Sequence, residues 1–215
     1  MVAQLRRHVS DERVLSAFGD VARERFVPPE LQGEAYADRA LPIGGGQTIS
    51  QPLMVAMMLE ALGLKGAEKV LEVGTGSGYQ AALLSLLARE VISVERLPEL
   101  AASAANRLSV LGYANVRVAV SGEALGWPDE GPYDAIVVAA GAPEPPPSLV
   151  DQLAAHGRLV VPAGSRRAQQ LVRVTKQDYG VTLERLGECR FVPLIATGEG
   201  WPQDAELGSS AKAAL

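Results

Sequence analysis

The chain has 215 residues, 47% of them hydrophobic, a length and apolar content that suit one globular domain with an elaboration and exclude wholesale disorder. Its formal net charge of −5 offers no basic field to a nucleic acid or an anionic membrane, so neither is expected as a partner. One cysteine, Cys189, and two histidines, His8 and His156, exclude an internal disulfide and Cys-rich or His-rich metal sites, and argue against a Ser–His–acid triad.

The first residues lack a basic start followed by an apolar core, so no secretory signal is read. No apolar run approaches the roughly 18 residues of a spanning helix, and a cytoplasmic protein is expected. His8 falls in a polar helical stretch. A helix follows with Asp11 and Glu12 in its first turn and Val14, Leu15, Phe18 and Val21 on one face. Phe26-Val27-Pro28-Pro29 breaks it. In Leu41 to Pro52, two prolines bracket Gly44-Gly45-Gly46, so a loop with little order of its own is expected, followed by an apolar helix from Pro52 to Leu62.

Val70 to Val73 is an apolar, branched run that reads as a strand buried on both faces. Gly74, Gly76 and Gly78 follow at alternate positions, and a helix is expected from Tyr79 to about Ala88. Glycine there lets the backbone turn sharply and approach a ligand, while the helix would aim unpaired N–H groups at it. Val91 to Val94 is the next strand, closed by Glu95. An acid about 20 positions beyond the first glycine is placed to accept two ribose hydroxyls. A nucleoside-binding βαβ unit is the reading.

Further on, a helix is expected over Pro98–Leu111 and strands over Val116–Val120 and Ala135–Ala139. A helix starting near Ser148 would end about His156, where a cation suits the dipole. Arg158–Pro162 is a strand, Gln170–Val174 and Val181–Arg185 a hairpin, and Phe191–Ile195 a last short strand. Cys189 reads as a small buried hydrophobe and Arg166-Arg167 as a solvated turn. From Gln203 onward, Ala, Ser and Gly without periodicity suggest a disordered tail. The whole is an α/β chain with a mostly parallel sheet, helices on both faces and ligands at the carboxyl ends of the strands.

A dinucleotide fingerprint requires glycine where Tyr79 stands, and no P-loop Gly-Lys-Ser/Thr occurs. Gly-x-Gly-x-Gly with an acid closing the next strand looks like the S-adenosylmethionine site of Rossmann-like class I methyltransferases, although a glycine-rich turn also occurs in other α/β proteins. Glu72 before the turn and Glu95 after it favour the cofactor. The cofactor set is then Glu72, Gly74, Thr75, Gly76, Ser77, Gly78, Glu95 and Arg96, with Gly122 and Glu123 after the third strand.

Several stretches together resemble the protein-L-isoaspartate O-methyltransferases: Arg25-Phe26-Val27-Pro28, Tyr36-Ala37-Asp38, Leu41 to Gly44, Gly46 to Pro52, Leu71 to Ala82, Pro132 to Ile136, Ala142-Pro143 and Phe191 to Leu194. The resemblance spans about Phe18 to Trp201. Gly46-Gln47-Thr48-Ile49-Ser50-Gln51-Pro52 is its most specific part. It implies methyl transfer from S-adenosylmethionine to the α-carboxylate of L-isoaspartyl residues in damaged proteins and peptides. The ester then closes to a succinimide, which initiates repair. It further implies that the Ser50 hydroxyl lies at the active site with Gln47, Thr48 and Ile49 beside it. Ser50 also suits the N-cap of the helix that starts at Pro52.

Such chemistry suits a chain poor in histidine. A carboxylate with pKa about 4 is already ionised at neutral pH, so proximity and desolvation remain the task. The chain departs from the family where Ser121-Gly122-Glu123 replaces the usual Gly-Asp-Gly near the adenine. Either Glu123 reaches the adenine from the next position or apolar contacts hold it. Two other functions stay open on sequence alone: methylation of ordinary aspartates in one dedicated peptide, and a non-catalytic cofactor-binding module. The expected organisation is one methyltransferase domain over 1–202, with substrate elements in 1–52. Oligomeric state is left open, a monomer being favoured.

Overall fold

The computed structural model describes residues 1–196 and 198–201, so the tail expected from Gln203 lies outside the described residues. After a short helix α1 (Val2–Leu5), α2 (Glu12–Asp20) begins where the acids are, and the Asp11 side chain accepts the Arg13 N–H at 2.9 Å. Its buried face carries Val14, Leu15, Ala17 and Phe18. His8 lies in a turn beyond α1, not within a helix. Two 3-10 segments, Arg23–Phe26 and Pro29–Glu34, carry the chain through its prolines.

The expected loop at 41–52 is an ordered antiparallel hairpin, β1 (Leu41–Gly44) and β2 (Gln47–Ile49). The glycines that suggested disorder build its turn: Gly44, Gly45 and Gly46 have φ of 93°, 59° and 69°, a region that favours residues without a Cβ. Leu41 and Ile49, directly paired, are both buried and anchor it. α3 (Pro52–Leu62) follows and ends on Gly63 in the left-handed conformation.

Strands β3 (Lys69–Val73), β4 (Glu90–Glu95), β5 (Val116–Val120), β6 (Tyr133–Val138), β7 (Leu153–Gly164), β8 (Gln169–Lys176) and β9 (Val181–Cys189) form one sheet in the order β5-β4-β3-β6-β7-β8-β9. The first five are parallel; β8 and β9 run antiparallel as the expected hairpin. Helices α4 (Tyr79–Ser85), α5 (Pro98–Val110) and α6 (Pro147–Asp151) connect them. This mostly parallel sheet with its terminal antiparallel hairpin is the expected class I methyltransferase fold.

Period-two alternation sends the strands' side chains to two cores. Val70, Val91, Ala135, Val137 and Val160 join α2, α3 and α4 on one face. Leu71, Val73, Ile92, Val94, Ile136 and Val138 pack with Leu149 and Leu159 on the other. Strand order reverses at β3, which has β4 on one side and β6 on the other, and the carboxyl ends of these strands open the crevice where such folds hold ligands.

Two expectations fail at the C-terminal half. His156 does not end a helix: α6 stops at Asp151, and His156 sits at φ 61° in a bulge of β7, between the pairs Tyr133–Leu153 and Ala135–Arg158. Its Nε2 lies 3.5 Å from Asp178 Oδ1 in an exposed pair. Phe191–Ile195 forms no strand. Pro193 has no N–H for a ladder, and the segment makes only an isolated bridge to Gly141, with the Leu194 N–H donating to the Gly141 carbonyl at 2.7 Å.

Candidate active site

The turn between β3 and α4 is bonded to itself and to the end of β4. The N–H groups of Gly74 and Thr75 donate to the Val94 carbonyl at 2.8 and 3.3 Å, that of Gly78 to the Thr75 carbonyl at 2.8 Å, and that of Tyr79 to Ser77 Oγ at 3.3 Å. Of the helix-start amides expected to face a ligand, those of Gly78 and Tyr79 are taken by neighbours. The three glycines have φ of 98°, 53° and 87°. A Cβ on Gly76 would meet Ile43 Cδ1 at 3.3 Å, and one on Gly78 would meet Leu108 Cδ1 at 3.2 Å. Backbone conformation and close packing against the hairpin and α5 therefore require glycine here.

Glu95 closes β4 and fixes this turn. Its Oε2 accepts the Gly76 N–H at 2.9 Å and its Oε1 the Leu97 N–H at 3.0 Å. Each carboxylate oxygen keeps a further lone pair for another donor. The residue is largely buried yet borders a cavity of about 370 Å³, a size usual for small-molecule sites.

Of the residues expected at the site, Gln47, Thr48, Ile49, Ser50, Gly74, Thr75, Gly76, Ser77 and Glu95 line this one cavity. The hairpin forms one wall and the glycine turn the other. Glu72, Gly78, Arg96, Gly122 and Glu123 do not line it. Glu72 is fully buried behind the turn, where Ser93, its partner across the β3–β4 ladder, donates to Oε2 at 2.5 Å and stands 2.5 Å from Thr75 Oγ1. Burial pushes the Glu72 carboxyl up to about 8; the Ser93 hydrogen bond opposes this and the Glu95 charge adds to it. Arg96 and Gly122 are exposed. Glu123, also exposed, borders a separate cleft with Leu125, Ser148 and Glu199.

Ser50 does not cap α3. The cap position is Gln51, with no side-chain bond of its own, and the Leu53 N–H is taken instead by Asp38 Oδ1 at 2.9 Å. Among the described residues the Ser50 hydroxyl makes no hydrogen bond, whereas its carbonyl accepts Arg23 Nη2 at 2.8 Å.

Sequence reading missed Tyr79, Gln80 and Arg190 on the cavity wall and Arg23 behind it. Tyr79 and Gln80 looked like ordinary helix positions. Gln80 is nine-tenths buried and its Nε2 has no partner among the described residues, a signal only the structure carries. Arg190 gave no signal beyond its place before Phe191-Val192. Cys189, beside it, has its thiol pushed up to about 11 by burial, which suits a packed hydrophobe and not a nucleophile.

Residues 1–199 match the family model of the protein-L-isoaspartate(D-aspartate) O-methyltransferases. The chain belongs to that family. It is 53% identical over 198 residues to protein-L-isoaspartate O-methyltransferase 2 of Marinobacter nauticus, covering 91% of this chain and 90% of that one. It is 56% identical over 189 residues to the protein-L-isoaspartate O-methyltransferase of Anaeromyxobacter dehalogenans, covering 86% and 90%. Among solved structures, a protein-L-isoaspartate O-methyltransferase superposes with a TM-score of 0.78 at 31% identity, over 89% of this chain and 65% of that chain. A Plasmodium falciparum chain of the same description, solved with S-adenosyl-L-homocysteine, gives 0.77 at 27% identity, over 89% and 94%. The activity is S-adenosylmethionine-dependent methylation of L-isoaspartyl residues, and its partners are isoaspartyl-containing proteins. Methylation of ordinary aspartates in a dedicated peptide, and a non-catalytic module, are not favoured by these relatives. No helix among the described residues is long and apolar enough to cross a membrane.

Proposed function

We propose that this cavity holds both reactants, with Glu95 accepting the cofactor's ribose hydroxyls, the Gly74–Gly78 turn bordering its amino-acid end, and the Ser50 hydroxyl orienting the substrate's α-carboxylate. The observation that carries the proposal is that Ser50 and Glu95, from the hairpin and the end of β4, face one cavity of about 370 Å³. Two features make the residues fit a zwitterionic nucleoside: spare acceptor capacity on Glu95, and the unpartnered Gln80 Nε2, a donor suited to a carboxylate. Glu123 borders another cleft, so the adenine is assigned to apolar contacts.

S-adenosylmethionine, when bound, would supply a methyl group on a sulfonium, whose neutral thioether is a leaving group that needs no acid. The chain's own residues supply position. The Ser50 hydroxyl donates one hydrogen bond to the carboxylate and adds no charge, so the anion stays nucleophilic. Phe191, Val192, Met54 and Val55 give the cavity an apolar border that excludes water and raises the anion's reactivity. Arg190 is the one cation on the cavity wall among the described residues and draws the anionic substrate in. No general base is required, because the attacking oxygen already lacks its proton.

A methyl-transfer assay comparing an isoaspartyl peptide with its aspartyl twin tests this reading. Turnover of the isoaspartyl peptide alone supports it; equal turnover of both contradicts it. We further infer that the described residues form one domain of a cytoplasmic monomer, which sedimentation at twice the chain mass would contradict.

A further inference from the structure

We propose that Arg23 is a positioning residue for methyl transfer, acting by locking the backbone of Ser50 against the start of α4. This inference rests on the role assigned to Ser50 above. Arg23 is fully buried. Its Nε donates to the Ala35 carbonyl and its Nη2 to the Ser50 carbonyl, both at 2.8 Å. The guanidinium also lies over the Tyr79 ring, 4.7 Å from the centroid. Tyr79 is the first residue of α4, follows the glycine turn directly and lines the cavity. One planar group thus ties the end of the hairpin, the 3-10 segment before it and the cofactor-side turn.

The energetics argue that this arginine is not there for stability. It makes no salt bridge with any described carboxylate, and its Nη1 has no hydrogen-bond partner among the described residues. The Tyr79 hydroxyl beside it makes no hydrogen bond of good geometry among the described residues, yet it stands close enough to the guanidinium to favour its charge. Desolvation pulls the Arg23 pKa down, opposed by Tyr79 and Asp38, so burial of its charge is incompletely compensated. A well-packed apolar side chain of similar volume would normally serve such a site as well or better. What an apolar residue could not do is hold the Ser50 carbonyl.

Ser50 needs that hold. It does not cap α3, and its hydroxyl has no partner among the described residues to set its direction. The aim of the hydroxyl therefore depends on where the backbone is pinned. Misplacement of a reacting group by about 1 Å can cost on the order of 100-fold in rate. Lysine at this position keeps a charge but loses the planar two-pronged donor geometry.

The test uses the full chain with Arg23→Lys, Arg23→Gln, Ser50→Ala and the two double variants. Cofactor affinity is read by calorimetry, and kcat and KM with an isoaspartyl peptide. Arg23→Gln keeps an amide donor without charge, so loss of the fold in one variant leaves the other informative. We expect Arg23→Lys to lower kcat about 10- to 100-fold while cofactor Kd stays within about threefold. In the Ser50→Ala background the same change should lower kcat by less than about twofold, because the group it positions is gone. Multiplicative losses in the double variants, with Ser50→Ala itself impaired, would overturn the Arg23 proposal and leave Ser50's role standing. Full kcat in Arg23→Lys would overturn it as well. Full activity of Ser50→Ala would instead overturn the Ser50 reading and this inference with it.

Discussion

The Glu95 carboxylate accepts the Gly76 N–H at 2.9 Å, so the acid that closes β4 also fastens the glycine turn that follows β3. Removing it should do two things at once. Glu95→Ala is expected to weaken S-adenosylmethionine binding by more than tenfold in calorimetry and to loosen the turn. Glu95→Gln keeps one carbonyl acceptor and should lose less. Glu123→Ala, at the separate cleft, is the control and should leave affinity within about threefold. Unchanged affinity in Glu95→Ala would remove the ribose assignment.

Gly76 has φ 53°, and a Cβ there would press on Ile43 Cδ1 at 3.3 Å. A left-handed conformation costs a residue with a Cβ about 1–2 kcal/mol. Gly76→Ala should therefore lower thermal stability by about that amount and weaken cofactor binding, since the strain falls between turn and hairpin. An unaltered melting temperature would show that the turn relaxes without cost.

Glu72 governs a pH dependence of stability. Its carboxyl sits at about 8 when folded, mainly through burial, and near 4.3 when unfolded. Between these values the folded chain holds a proton that the unfolded chain has released. The stabilisation is full below about pH 4.3 and is lost as pH rises towards 8, by up to about 1.4 kcal/mol per unit from this group. Glu72→Gln removes the titration. Its melting temperature should fall less than the parent's between pH 6 and 9, and it should be the more stable at pH 9. Parallel curves for the two chains would contradict the assignment.

These residues show what the sequence could and could not disclose. Buried parallel strands such as Val70–Val73 and Val91–Val94 carry apolar runs that only such strands need, so the sheet and its crevice were legible. The hairpin was not, because a three-residue strand offers no periodicity and Gly44-Gly45-Gly46 has the composition of a loop. The bulge at His156 was hidden by Ala154-Ala155, which suits a helix as well. Phe191–Ile195 looked like a strand because alternation carries no record of whether a partner edge is free. Ser50 and Glu95, which line the candidate cavity, were legible from family motif and strand end. Arg23, flanked by Glu24 and Arg25, carries no signal in the sequence that sets it apart from a solvated charge. Only tertiary packing reveals that it is buried on a carbonyl and a ring.

Arg190 borders the cavity from an exposed position, where it can attract an anionic peptide without contacting the methyl group. Arg190→Gln should raise KM for an isoaspartyl peptide about 3- to 10-fold, with kcat little changed, and the difference should shrink at high salt. Steady-state kinetics at two ionic strengths check this. A loss confined to kcat would place Arg190 in the chemical step instead.

The central claim is that orientation by Ser50, without a titrating base, drives transfer to the isoaspartyl carboxylate. The most direct measurement is kcat of Ser50→Ala against the parent with an isoaspartyl peptide from pH 6 to 8, with cofactor affinity measured alongside. Since Ser50 does not cap α3, the variant should remain folded. The account predicts a loss on the order of 10- to 1000-fold that is constant across this range, with cofactor affinity unchanged. Full activity, or activity that recovers as pH rises, would contradict it.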